Sequence, residues 1–136
     1  MPNSARRTRR PLLLLIEPDF MVRRTIAVVA RDLDIADIHE TSGSDAAASL
    51  LASAAYDGVL VCIDDHGYAL IERLRAGSTL CGARTPVAVT MNTCGVQDVH
   101  RLRDLDVDQV LLRPFKVKAL LQALQALSAG RVDNAG

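Results

Sequence analysis

The strongest constraint on this chain is an alternation of short apolar runs with helix-like stretches. The runs are "PLLLLIE" (11–17), "ADIHET" (36–41), "GVLVCI" (58–63), "PVAVT" (86–90) and "QVLLR" (109–113). Continuous apolar runs of this length read as strands buried on both faces, and the second shows partial alternation. Between them the pattern predicts helices over about 20–32, 44–55, 67–76, 95–104 and 115–127. Asp19 can cap the first, and Ser44 or Asp45 starts the second. Met21, Ile26, Val29 and Ala30 are inward candidates on the first helix, Leu70, Ile71 and Leu74 on the third. Val96, Val99 and Leu102 recur on one side of the fourth. Strict βα alternation predicts one α/β domain, a doubly wound parallel sheet with helices on both faces. Right-handed crossovers and this size favour the strand order 2-1-3-4-5. A site in such a sheet lies outside the carboxyl ends of the strands, here among Glu17 to Asp19, Cys62 to His66, Thr90 to Thr93, and Arg113.

Charge and composition exclude several classes. The chain has 136 residues, 49% hydrophobic and 24% charged, which fits a soluble globular domain. Its first ten residues carry four arginines and no acid, so the other 126 hold 12 basic and 16 acidic groups, a net of −4. The body therefore offers no nucleic-acid surface, and residues 1–10 read as a basic disordered tail. The domain is expected over 11–128, with a short tail over 129–136. "PLLLLI" is too short to span a membrane and lacks the features of a secretory signal, so no membrane partner is expected and the location reads as cytoplasmic. Three cysteines, Cys62, Cys81 and Cys94, stand at no metal-ligand spacing and read as free thiols. A flavodoxin-type enzyme would need a glycine loop after the first strand, and "EPDFM" has none.

Four segments in order, "LLLLIEPDFMVRR", "YDGVLVCI", "TPVAVT" and "LLRPF", carry a family resemblance. From about Leu12 to Leu127 the chain resembles the receiver domain of bacterial two-component response regulators (CheY-like). The resemblance implies a flavodoxin-like (βα)5 fold. In that family two acids after strand 1 and an aspartate ending strand 3 hold magnesium, and the aspartate accepts a phosphoryl group. A Ser/Thr ending strand 4 and a strand 5 lysine contact the phosphate.

Carried over by position, most of this set is absent. The first acid is Glu17, but the second falls on Pro18. The acceptor falls on Cys62. The Ser/Thr falls on Met91, with Thr90 one residue earlier, and the lysine falls on Arg113. The strand 5 aromatic falls on Val110, and the loop after strand 3 is shorter than the family's. Magnesium wants hard oxygen ligands, and Cys62 is soft. The resemblance therefore implies a degenerate pseudo-receiver lacking the phosphoacceptor aspartate, with no cofactor, no metal and no enzymatic activity. A Glu17–Arg113 ion pair filling the pocket is a specific expectation.

Two alternatives stay open. Asp64 or Asp65 could accept a phosphoryl group, although a two-residue slip carries the carboxylate about 6–7 Å further along the strand. Cys62 could act as a redox switch, with Arg113 favouring its thiolate. Otherwise Asp64 and Asp65 are loop acids, His66 belongs to a capped loop, and His39 and His100 are surface residues. The last helix is apolar over more than a core stripe needs. The family's usual contact surface, helix 4 with strand 5 and helix 5, maps here onto Val110, Lys118, Leu121, Gln122 and Gln125. The expected partners are signalling proteins, and a homodimer through that surface is one arrangement the resemblance implies. About nine residues follow the last helix, so no appended output domain is expected and the domain would act in trans.

Overall fold

The computed structural model describes residues 10–63 and 67–129. Ten elements alternate strictly: β1 (Leu12–Ile16), α1 (Phe20–Asp32), β2 (Asp37–Thr41), α2 (Ser44–Ser53), β3 (Gly58–Cys62), α3 (Gly67–Arg75), β4 (Val87–Met91), α4 (Val96–Asp104), β5 (Gln109–Leu112) and α5 (Val117–Ala129). The strands form one parallel sheet in the order β2-β1-β3-β4-β5, the flavodoxin-like arrangement expected from the alternation. Of the tails expected over 1–10 and 129–136, residues 1–9 and 130–136 lie outside the described residues, as do the loop residues Asp64, Asp65 and His66, whereas Arg10 pairs with Asp34 (2.7 Å) and Ala129 closes α5.

Period-two alternation divides the core between the two faces of the sheet. Leu14, Ile16, Val59, Val61, Val87, Val89 and Met91 pack on one side against Ala47 and Leu51 of α2, Ile71 and Leu74 of α3, and Leu102 of α4. Leu13, Leu15, Leu60, Ala88 and Leu111 pack on the other against Ile26 and Ala30 of α1 and Leu120, Leu124 and Leu127 of α5.

Two glycines set close approaches. A Cβ on Gly58 would stand 3.0 Å from both Leu127 Cβ and Leu13 Cδ2, so the end of α5 can seat on β3 only where that side chain is missing. A Cβ on Gly67 would lie 3.0 Å from the Cys62 carbonyl oxygen, which keeps the start of α3 tight against the end of β3. At the opposite end of the sheet, Arg75 donates through Nε to the Leu105 carbonyl (2.8 Å), through Nη2 to Asp106 (3.0 Å) and through Nη1 to Ala83 (3.0 Å) and Thr85. One guanidinium thus joins the segments entering β4 and β5.

Some helix faces differ from expectation. Met21 is 71% exposed, because the buried face of α1 is made by Ile26, Ala27 and Ala30 and helical periodicity turns position 21 well away from it. On α4 only Leu102 is buried, and Val96 and Val99 face outward. That helix is held to α3 by polar contacts. Tyr68 donates its hydroxyl to Asp98 (2.7 Å), and Arg101 pairs with Glu72 (2.9 Å) while lying over the Tyr68 ring (4.4 Å).

Candidate functional site

Four side chains meet at the carboxyl ends of the strands. Parallel pairing sets Cys62 of β3 opposite Thr90 of β4, and Thr90 opposite Leu111 of β5. Glu17 follows β1, its N–H bonded to the Thr41 carbonyl (2.9 Å), and Arg113 follows β5, its N–H bonded to the Met91 carbonyl (2.9 Å). The Arg113 side chain reaches back over the strand ends. Its Nη2 donates to Glu17 Oε1, approaches Thr90 Oγ1 at 3.3 Å and approaches Cys62 Sγ at 3.4 Å. Two N–H hydrogens on one nitrogen serve three acceptors, so the ion pair is the main contact and the other two are shared.

Burial sharpens this arrangement. Glu17 is 1% exposed, and its second oxygen, Oε2, accepts the Asp19 N–H at 2.9 Å. The carboxylate is therefore satisfied on both sides, which a charge held away from water requires. Burial lowers the Arg113 pKa from its ordinary value, a shift the neighbouring carboxylate opposes in sign. Arg113 Nε is buried with no hydrogen-bond partner among the described residues, so the guanidinium is committed through its outer nitrogens. Arg23 adds a second layer, donating from Nη1 to the Glu17 carbonyl (2.8 Å) and pairing with Glu40 (3.6 Å), which Arg24 also meets.

The neighbours Thr90 and Met91 part company. Thr90, 1% exposed, shares the face of Cys62 and Arg113, whereas Met91 is buried in the cluster on the other face with Val87 and Val89. Pro18 is exposed and brings no side-chain oxygen. Asp64 and Asp65 lie outside the described residues. Sequence reasoning missed Arg23 and the Asp19 backbone N–H. The Asp19 contact was within reach, since its capping role was read and Glu17 stands two residues before it. Nothing local in the sequence points to Arg23.

A magnesium ion does not fit the described donors. Glu17 has both oxygens engaged, by Arg113 and by the Asp19 N–H, Pro18 supplies none, and Cys62 offers a soft sulfur where the ion wants hard oxygen. Among the described residues no group of three His, Cys, Asp or Glu could hold a metal ion. The arrangement joins four strand ends by side-chain contacts.

Of the residues read as a contact surface, Val110, Lys118 and Gln122 line one groove between β5 and α5. Leu121 is half-buried and Gln125 exposed on α5. Among the described residues no helix is long and apolar enough to cross a membrane.

No family model matches the sequence, and no curated protein matches it. Solved structures do. A CheY-like response regulator receiver domain protein from Methanospirillum hungatei superposes with a TM-score of 0.77 at 12% identity, covering 94% of this chain and 100% of its own. A response regulator receiver protein from Pseudomonas putida gives 0.75 at 21%, covering 86% and 97%. The receiver domain of the Francisella response regulator 1452 gives 0.74 at 20%, covering 88% and 97%. At these identities the likeness is one of architecture, and on it the chain has the fold of the response-regulator receiver domains.

Proposed function

We propose that this domain serves two-component-type signalling as a pseudo-receiver, through protein–protein contact that does not depend on phosphorylation at the end of β3. The observation that carries this reading is the Arg113–Glu17 pair over Cys62. Phosphoryl transfer to a carboxylate needs an acceptor oxygen, a cation to neutralise developing charge, and room for the phosphoryl group. Here the residue ending β3 is a cysteine, the basic group is already paired, and the first acid is held on one oxygen by Arg113 and on the other by the Asp19 N–H.

The test is phosphorylation by acetyl phosphate with magnesium, read by intact mass. No added phosphoryl group is expected. A stable adduct mapped to Asp64 or Asp65 would establish the alternative of a phosphorylatable receiver and overturn this reading. A second reading, a redox switch on Cys62, draws on the 3.4 Å contact from Arg113. It requires that Cys62 oxidise under mild peroxide well before Cys94, and equal rates would remove it.

A further inference from the structure

The two edges of the sheet are built differently. β2 forms one edge and carries charge along it, with Arg10 paired to Asp37 (3.4 Å) and Glu40 held by Arg24. Charged edges resist pairing with another strand. β5 forms the other edge, and among the described residues no strand lies beyond it. Its outward side chains are apolar, with Val110 40% and Leu112 49% exposed. The Arg113 N–H points inward to Met91, so the backbone groups of Leu112 and Val110, on the alternate positions, point away from β4.

This edge is a ridge between two grooves. On one side a cavity of about 530 Å³ lies under α4, walled by Val99, Leu102 and Val107 together with Val110 and Leu112. On the other, a cavity of about 360 Å³ runs along α5 beside Lys116, Lys118 and Gln122. The charges differ between the two grooves: the α4 groove also meets Arg103 and Asp106, whereas the α5 groove is lined by Lys116 and Lys118 with no acid beside them. The charge of the α5 groove fits an acidic partner.

We infer that β5 takes an extended segment of a partner protein as an added sixth strand, with acidic and apolar residues alternating along it. The backbone of the segment pairs with Val110 and Leu112. Its apolar side chains fall on the α4 side of the sheet, over Val99 and Val107, and its acidic side chains on the α5 side, toward Lys116 and Lys118. The inference rests on the reading that the domain works by protein–protein contact, and it adds the mode of that contact and the chemistry of the partner.

The probe is an acetylated and amidated hexapeptide of alternating glutamate and valine, with a lysine–valine hexapeptide as control, titrated into the isotope-labelled full chain by nuclear magnetic resonance. The acidic peptide should shift the amides of Gln109 to Arg113 saturably, slow hydrogen exchange at Val110 and Leu112, and bind at least about tenfold more tightly than the basic one. A Lys116→Glu, Lys118→Glu double variant, both sites being exposed, should reverse that preference. Leu112→Lys should abolish binding with the melting temperature retained. Equal binding of the two peptides, shifts centred elsewhere, or a preference unmoved by charge reversal would overturn the inference. So would concentration-dependent shifts of the β5 amides in the protein alone, which would make a second copy the occupant. Phosphoryl labelling with peptide binding intact would remove the reading of function and leave this one standing.

Discussion

Glu17 and Arg113, 96 residues apart in sequence, form an ion pair in which the carboxylate is almost wholly shielded from water and the guanidinium is a fifth exposed. The asymmetry decides which partner the fold depends on. Removing Arg113 strands a buried charge, whereas removing Glu17 leaves a cation that can turn toward solvent. Arg113→Met should therefore destabilise the domain by about 3–5 kcal/mol, and a Glu17→Leu, Arg113→Met pair should recover most of that loss. Urea unfolding of the three proteins measures it. A loss under about 1 kcal/mol for Arg113→Met would mean that Arg23 or water takes over the carboxylate.

Restoring an acid at the end of β3 should not restore a metal site. Cys62→Asp puts a carboxylate within reach of Arg113, where it competes with Glu17 for the same Nη2. With Pro18 unchanged, titration calorimetry should show no saturable magnesium binding. Sub-millimolar binding would show that the remaining oxygens suffice and that Cys62 alone accounts for the loss of the site.

The α3–α4 contact predicts two opposite pH responses. Tyr68 is pushed up to about 12, first by burial and then by its hydrogen bond to Asp98. Tyr56 is also raised, by burial and then by the nearby Cys81. The phenol of Tyr68 thus contributes stability below its ordinary value of 10.0, and that contribution is lost as pH climbs through about 12. Spectrophotometric titration should show no tyrosinate forming at the ordinary midpoint, and Tyr68→Phe should remove the later transition. Asp98 is shifted the other way, below 3.8, by the Gly95 N–H first and by Tyr68 second. Its contribution is present above that ordinary value and lost as acidification carries pH through the folded-state value. Asp98→Ala should cost stability at neutral pH, with the deficit shrinking toward acid.

The three thiols should separate by environment. Burial raises the Cys81 pKa, only partly offset by the Tyr56 N–H and the Thr79 hydroxyl, while Cys62 and Cys94 are half-buried. A disulfide reagent should modify Cys62 and Cys94 in the native protein and reach Cys81 only on unfolding. Labelling of Cys81 at a rate matching the other two would contradict the packing of β3 and the segment before β4.

Apolar runs and helix-length spacers were enough to place the five strands, most plainly the central β1, β3 and β4 that are buried on both faces, and crossover handedness with domain size pointed to the sheet order. Side-chain direction was harder to read. Thr90 and Met91 are adjacent, and motif spacing alone pointed to Met91. Pairing of Cys62 with Thr90 sets the face, and a one-residue difference moves a side chain to the opposite side of the sheet. Val96 and Val99 recur at helical spacing yet face outward, because α4 is anchored through Tyr68, Asp98 and Arg101, contacts between segments about 30 residues apart that no local periodicity records.

Arg75 and Arg113 sit at opposite poles of the sheet and are answered by different kinds of atom. Arg75 is met by main-chain carbonyls, which every sequence with this backbone supplies. Arg113 is met by a carboxylate, a hydroxyl and a thiol, each of which a single codon change can replace. Substituting any one partner of Arg113 therefore changes the chemistry at that pole, whereas no side-chain substitution removes the carbonyls that receive Arg75.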